Sequence, residues 1–162
     1  MRVTLDDKTF ALLVIEWKYL ESYGGKSVTR SLSGTDRVAI YRALIEAADS
    51  PIASGEPRRL FYEPYYQLAR QTLLAARAVA DPDTPESEWL HVDVIPEPNV
   101  ALRHRVKSAA PLLSGNTLEE TWRSALKAPE RYRVLGQSAV VPVDAPGKWR
   151  GWRRFLRARY LT

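Results

Sequence analysis

LLVIEWKYLESYGG (residues 12–25) closes an apolar run on a glutamate, a tryptophan and a lysine, then breaks at two glycines. The run is rich in β-branched and large apolar side chains, so it reads as a strand covering about Thr9–Tyr19. Phe10, Leu12 and Val14 alternate with Ala11, Leu13 and Ile15, so both faces are apolar, as in a central strand covered on both sides. Glu16 and Lys18 break that pattern. Side chains two apart on a strand share a face, so this carboxylate and this lysine project together from the strand end. Burying charge is expensive unless the charges are paired or used.

The neighbouring segments frame that strand. Arg2–Leu5 reads as a short first strand, and Asp6-Asp7-Lys8 as the polar turn of a hairpin. A helix is expected over about 36–48, capped by Thr35, with Val38, Tyr41, Leu44 and Ile45 on its inner face. Residues 50–57 read as loop. A second helix is expected over about 64–80, with proline at its start. Tyr65, Leu68, Ala69, Thr72, Ala76 and Val79 form its packing face, and Gln67, Arg70, Gln71 and Leu74 form a separate stripe. Residues 88–95 alternate as a strand, with Leu90, Val92 and Val94 on one face and Trp89, His91 and Asp93 on the other. Thr117 and Glu120 have capping-box spacing for a helix to about Lys127. Tyr132–Leu135 reads as a last short strand, and a final helix covers about 148–160. Strands interleaved with helices predict one α/β domain spanning 1–162.

Composition narrows the function. With 162 residues, 45% hydrophobic and 27% charged, the chain can bury a core. It has no cysteine, which excludes disulfides and thiolate metal sites and agrees with an expected cytoplasmic location. His91 and His104 lack zinc-type spacing. The run Phe10–Ile15 is too short to cross a bilayer, so no membrane partner is expected. Charge is uneven. Residues 1–100 carry 11 basic and 15 acidic side chains, whereas residues 101–162 carry 13 basic and 4 acidic. A basic C-terminal part suggests an anionic partner, DNA first, although a merely solvated basic surface has the same composition.

A carboxylate beside a lysine at a strand end suits metal-assisted hydrolysis of a phosphodiester. The carboxylate can hold a hard cation such as magnesium or manganese. The lysine can orient a water or steady phosphate charge. A bare E-x-K triplet is weak evidence, since it occurs by chance in about half of chains this long. Its position at the end of an apolar central strand gives it weight. The plain alternative is an ion pair at a fraying strand end.

VIEWKY after a hairpin resembles the metal-binding strand of the PD-(D/E)xK nuclease superfamily. With YEPYYQLARQTLLA (62–75), it is similar to a bacterial family of restriction-endonuclease-like proteins. The resemblance covers most of the chain. It implies a restriction-endonuclease-like mixed sheet flanked by helices, here lacking its first helix. It also implies a metal-dependent DNA endonuclease, with Glu16 as metal-ligating acid and Lys18 as catalytic lysine. Gln67, in the following helix, would face the site. The superfamily further wants an aspartate on the preceding strand. If the hairpin turns near Asp7, residue i faces residue 14 − i, and the position facing Glu16 falls two residues before Met1. The expectation is therefore a start that lies further upstream, and little or no nuclease activity in the 162-residue form. The alternative is a non-catalytic DNA-binding or scaffold protein with a degenerate nuclease core. A protein-interaction module without a nucleic-acid role is a third reading.

KWRGWRRFLRARY (148–160) carries six basic residues and no acid. On a helix, Arg150, Arg153, Arg154 and Arg157 fall on one side and can meet phosphates. Trp149, Trp152, Phe155 and Leu156 fall on the other side and are expected in the core. His91 reads as a packed, hydrogen-bonded histidine rather than a ligand. Tyr62, Tyr65 and Tyr66 read as core and helix-entry packing, though one could stack on a base. Oligomeric state and cleavage specificity have no sequence signal.

Overall fold

The computed structural model describes residues 1–5, 9–18, 27–53, 55–104, 114–140, 150–151, 154–155 and 158. Four strands form one mixed sheet in the order β1 (Arg2–Thr4), β2 (Phe10–Trp17), β3 (Glu88–Val94) and β4 (Tyr132–Leu135). β1 is antiparallel to β2, while β2, β3 and β4 run parallel. Parallel neighbours need long crossovers, and the chain supplies them as helices. Between β2 and β3 lie α1 (Arg37–Glu46), a 3₁₀ turn (Pro57–Leu60) and α2 (Tyr65–Val79). Between β3 and β4 lie α3 (Val100–His104) and α4 (Leu118–Ser124), and α5 (Gln137–Val140) follows β4. This is the α/β mixed sheet flanked by helices that the strand and helix patterns predict.

The hairpin register matches the idealised pairing. Arg2 faces Leu12, Val3 faces Ala11 and Thr4 faces Phe10, and Leu13 N–H donates to the Met1 carbonyl at 2.7 Å. The turn expected at residues 6–8 and the glycine loop at 24–25 lie outside the described residues. β2 is central by pairing, but it is not covered on both faces as expected. Ala11 is buried, yet Leu13 is only half-buried and Ile15 is 42% exposed. The cause is one-sided packing among the described residues. The opposite face carries Val14 and Glu16 of β2, which pair with His91 and Asp93 of β3, and Tyr132 of β4 beside them. Over that face, α2 brings Tyr65, Leu68, Ala69 and Leu73, and α4 brings Leu118 and Trp122, into one apolar cluster with Tyr132. Tyr65 and Trp122 stack with centroids 6.5 Å apart.

Local sequence sets the helix ends. Asp36, not Thr35, caps α1: its carboxylate accepts from Ala39 N–H at 3.1 Å. Thr35 is drawn away, its hydroxyl lying 3.3 Å from that of Ser33. Such a cap contributes about 1 kcal/mol. Val38 and Ile45 of α1 are buried and Tyr41 packs against the core, but Leu44 is 42% exposed instead of facing inward. Pro64 occupies the position just before α2. Thr117 caps α4 as its spacing implies, accepting from Glu120 N–H at 3.1 Å, and Glu120 reaches back to Asn116 N–H at 2.9 Å. That helix ends at Ser124, short of Lys127. In the C-terminal segment, residues 150, 151, 154, 155 and 158 are helical and exposed. Phe155 is among them at 51% exposed, so it does not enter the core as expected. Trp149, Trp152 and Leu156 lie outside the described residues.

Candidate active site

In open α/β sheets, functional groups gather outside the carboxyl ends of parallel strands. Glu16 is the penultimate residue of β2 and Lys18 follows its last. Both point to the face that α2 covers. Lys18 is completely buried, and its Nζ lies 2.9 Å from Glu16 Oε1. The same Nζ donates to Gln67 Oε1 on α2 at 3.1 Å. One turn further along α2, the Gln71 amide donates to Glu16 Oε2. The three residues singled out from sequence, Glu16, Lys18 and Gln67, therefore meet at one place. Gln71 completes the set, and its stripe on α2 was legible although its direction was not.

Moving a lysine ammonium out of water costs several kcal/mol even after relaxation, and a buried ion pair seldom repays that in stability. An exposed ion pair at a fraying strand end would carry no such cost. Lys18 is instead held between a strand carboxylate and a helix amide, as a fixed positive charge directly behind Glu16.

Glu63 is the acid that sequence reasoning missed. It sits just before α2, where no periodicity marks it. Its Oε2 is buried and has no hydrogen-bond partner among the described residues. Burial pushes its carboxyl above the ordinary value of 4.5, with Glu16 adding to the rise and Lys18, Gln67 and Arg37 opposing it. Glu16 and Glu63 line a cleft of about 600 Å³ between α1 and α2. Arg37, Arg70 and Arg77 line the same cleft, as do Gln67, Gln71 and Leu74. One cleft thus holds two carboxylates, two amides and three guanidinium groups.

Beneath the site runs a buried polar ladder. Asp93 on β3 is in register with Glu16. Tyr132 OH donates to Asp93 Oδ2 at 3.0 Å, and the Thr72 hydroxyl lies 3.1 Å from His91 Nδ1. His91, Asp93 and Tyr132 are all fully buried. Burial, reinforced by Asp93, raises the Tyr132 phenol well above its usual value. His91 is a packed histidine, as expected. Tyr65 and Tyr66 are buried and Tyr62 is half-buried, so all three serve packing. Among the described residues, no three His, Asp or Glu side chains gather closely enough to hold a metal ion by themselves.

Of the arginines assigned to DNA, Arg150 and Arg154 are exposed on the C-terminal helical segment, and Arg153 and Arg157 lie outside the described residues. No helix among the described residues is long and apolar enough to cross a membrane.

A family model described as "restriction endonuclease associating with ARP" matches residues 1–161. No curated protein and no solved structure matches the chain. The match takes in the hairpin, the Glu16–Lys18 strand end, α2 and the basic C-terminal segment, so the chain belongs to the family of restriction endonucleases associating with ARP.

Proposed function

We propose that this chain is a PD-(D/E)xK-type nuclease domain that hydrolyses DNA phosphodiester bonds with magnesium or manganese at Glu16 and Lys18. Membership of a restriction-endonuclease family implies contact with DNA. The observation that carries the reading is the fully buried Lys18 ammonium fixed on Glu16 beside a charged cleft. Hard cations take oxygen ligands, and magnesium sites commonly use one or two carboxylates and otherwise water. Glu16 and Glu63 fit that pattern, because Glu63 offers a buried carboxylate oxygen, Oε2, that has no hydrogen-bond partner among the described residues. An ion held there would polarise a phosphate oxygen and acidify a bound water.

The protein's own groups do the rest. Gln71 holds one oxygen of Glu16 and Lys18 the other, so the carboxylate cannot swing. Gln67 holds Lys18 from the helix side and keeps the ammonium at the strand end, where it steadies negative charge building on the phosphate. The sequence-based expectation of an inactive 162-residue form rested on the want of a second acid. Glu63 would supply one in this reading, and on that ground this chain itself is expected to cleave.

Cleavage and metal affinity measured side by side test the reading. Glu16→Gln and Glu63→Gln should each weaken metal binding, and Lys18→Ala should lose turnover while largely keeping the metal. If neither the chain nor an upstream-extended form cleaves, the degenerate-scaffold reading takes its place. That reading has its own support in the two occupied oxygens of Glu16.

A further inference from the structure

Beside the carboxylates, the cleft has a wall that hydrolysis does not require. Leu44 of α1 and Leu74 of α2 both line it, and they are 42% and 66% exposed. Large aliphatic side chains held open to water in a formed cleft mark a surface that an apolar partner covers. Around them stand the arginines. Arg37 and Arg70 both lie over the ring of Tyr66, at 5.0 and 5.5 Å from its centroid, which fixes their guanidinium groups against one support. Arg77 lies two turns beyond Arg70 on the same stripe, about 10 Å along the helix. Among the described residues, none of the three forms an ion pair with a carboxylate.

Three guanidinium groups without an ion pair among the described residues call for an anionic backbone, although Arg37 also donates to the Val28 carbonyl at 3.2 Å, and two exposed leucines call for an apolar face. A regular duplex offers phosphates and groove edges but hides its base faces in the stack. A strand with an unpaired nucleotide offers both together. An acidic peptide with apolar side chains would also satisfy the leucines and arginines, and Glu16 and Glu63 repel peptide and phosphate alike; membership of a restriction-endonuclease family favours the nucleic-acid strand. We propose that this cleft binds a nucleic-acid strand carrying an unpaired nucleotide next to the phosphate presented to Glu16 and Lys18. The base would lie against Leu44 and Leu74, and the flanking phosphates on Arg37, Arg70 and Arg77. This rests on the nuclease reading for the identity of the reacting phosphate, and on the cleft alone for the binding preference.

The test measures binding of a labelled single strand, the matching blunt duplex and the same duplex with an unpaired bubble. Calcium replaces magnesium so that binding is read without turnover. The single strand and the bubble should bind about tenfold more tightly than the blunt duplex, within the range that contact with one base provides. The Leu44→Ser/Leu74→Ser double variant should lose that preference. Its melting temperature controls for folding, and since both side chains are exposed it should stay near the parent's. The single variant Leu74→Ser gives a second reading at the more exposed position. Arg70→Gln/Arg77→Gln should weaken all three ligands and lower the salt slope by about 1.8 for the duplex and about 1.4 for the single strand. Equal affinity for single strand and blunt duplex, or a preference that survives loss of both leucines, would overturn the proposal. So would a polyglutamate peptide that binds as tightly as the strand. A blunt duplex bound equally well and cut in magnesium would sink this inference and leave the nuclease reading standing. A single strand bound preferentially but never cut would do the reverse.

Discussion

At the scale of single residues, the site depends on where charge is placed out of water. Lys18 is buried with a carboxylate partner, whereas Glu63 is half-buried, with one buried oxygen that no described residue satisfies. Because burial raises the Glu63 carboxyl, the native state holds its proton more tightly than the unfolded chain does. The penalty for ionising it is absent below the unfolded value of 4.5, sets in as pH rises, and is complete above the raised native value. In metal-free solution, Glu63→Gln should therefore raise the melting temperature near neutral pH, and the gain should shrink as pH falls toward 4.5. Thermal melts across that window in the presence of a chelator decide it. A gain that does not vary with pH, or a loss at neutral pH, would remove the burial argument. Glu16 and Lys18 were legible in sequence because alternation along a strand puts i and i+2 on one face wherever the strand lies. Gln67 came from resemblance. Glu63 was not legible, because it sits in an irregular connection and reaches the site only through the fold. Arg37 was not legible either, since it arrives on a helix whose orientation no local pattern encodes.

At the scale of elements, the strands were the clearest part of the sequence. β2, β3 and β4 were each expected within two residues of their ends, and the hairpin register followed from simple antiparallel counting. Burial was less legible. Apolar residues on both faces of β2 suggested cover on both sides, yet the described helices pack on one side and leave Ile15 42% exposed. Leu44 was misplaced for a related reason: it follows the helical period of the core face but opens into the cleft. The capping box of α4 was read correctly, and the packing of that helix rests on a glycine the pattern does not explain. Gly115 has φ +152°, and a Cβ there would lie 2.5 Å from Thr121 N and 2.6 Å from Thr121 Oγ1, inside the first turn of α4. Backbone in a helix turn cannot give way as a side-chain tip can. Gly115→Ala should destabilise by about 1–3 kcal/mol, because it displaces the helix that carries Leu118 and Trp122 into the core. Gly55→Ala, with nothing within 4 Å of its new Cβ, is the matched control and should be close to neutral. Chemical denaturation of both variants checks the contrast, and equal midpoints would mean that α4 has room to shift.

At the scale of the molecule, charge separates the chemistry from the approach of substrate. The part that builds the site, residues 1–100, has four more acidic than basic side chains, whereas residues 101–162 have nine more basic than acidic. A DNA backbone nearing Glu16 and Glu63 approaches a part of the chain whose net charge has its own sign, relieved at the cleft by Lys18, Arg37, Arg70 and Arg77. The C-terminal part supplies the opposite field, and Arg150 and Arg154 stand exposed there. Fields of this kind raise association rates more than they deepen the bound state, and salt screens them. Replacing Arg150, Arg153, Arg154 and Arg157 together by glutamine should therefore slow association and flatten the dependence of affinity on salt. Each lost phosphate contact takes about 0.9 from the slope, so a full loss of four contacts would remove between three and four. The site residues are untouched, so in a cleavage assay the change should fall on KM and not on kcat. Neutralising Arg70 and Arg77 in the cleft should act differently, because in the proposed complex those groups would hold the strand beside the reacting phosphate, and their loss should lower kcat as well. Stopped-flow association at several salt concentrations, with cleavage kinetics on the same variants, separates steering from positioning. An unchanged slope in the quadruple variant would take the C-terminal segment off the DNA surface and leave the cleft arginines as the anchors.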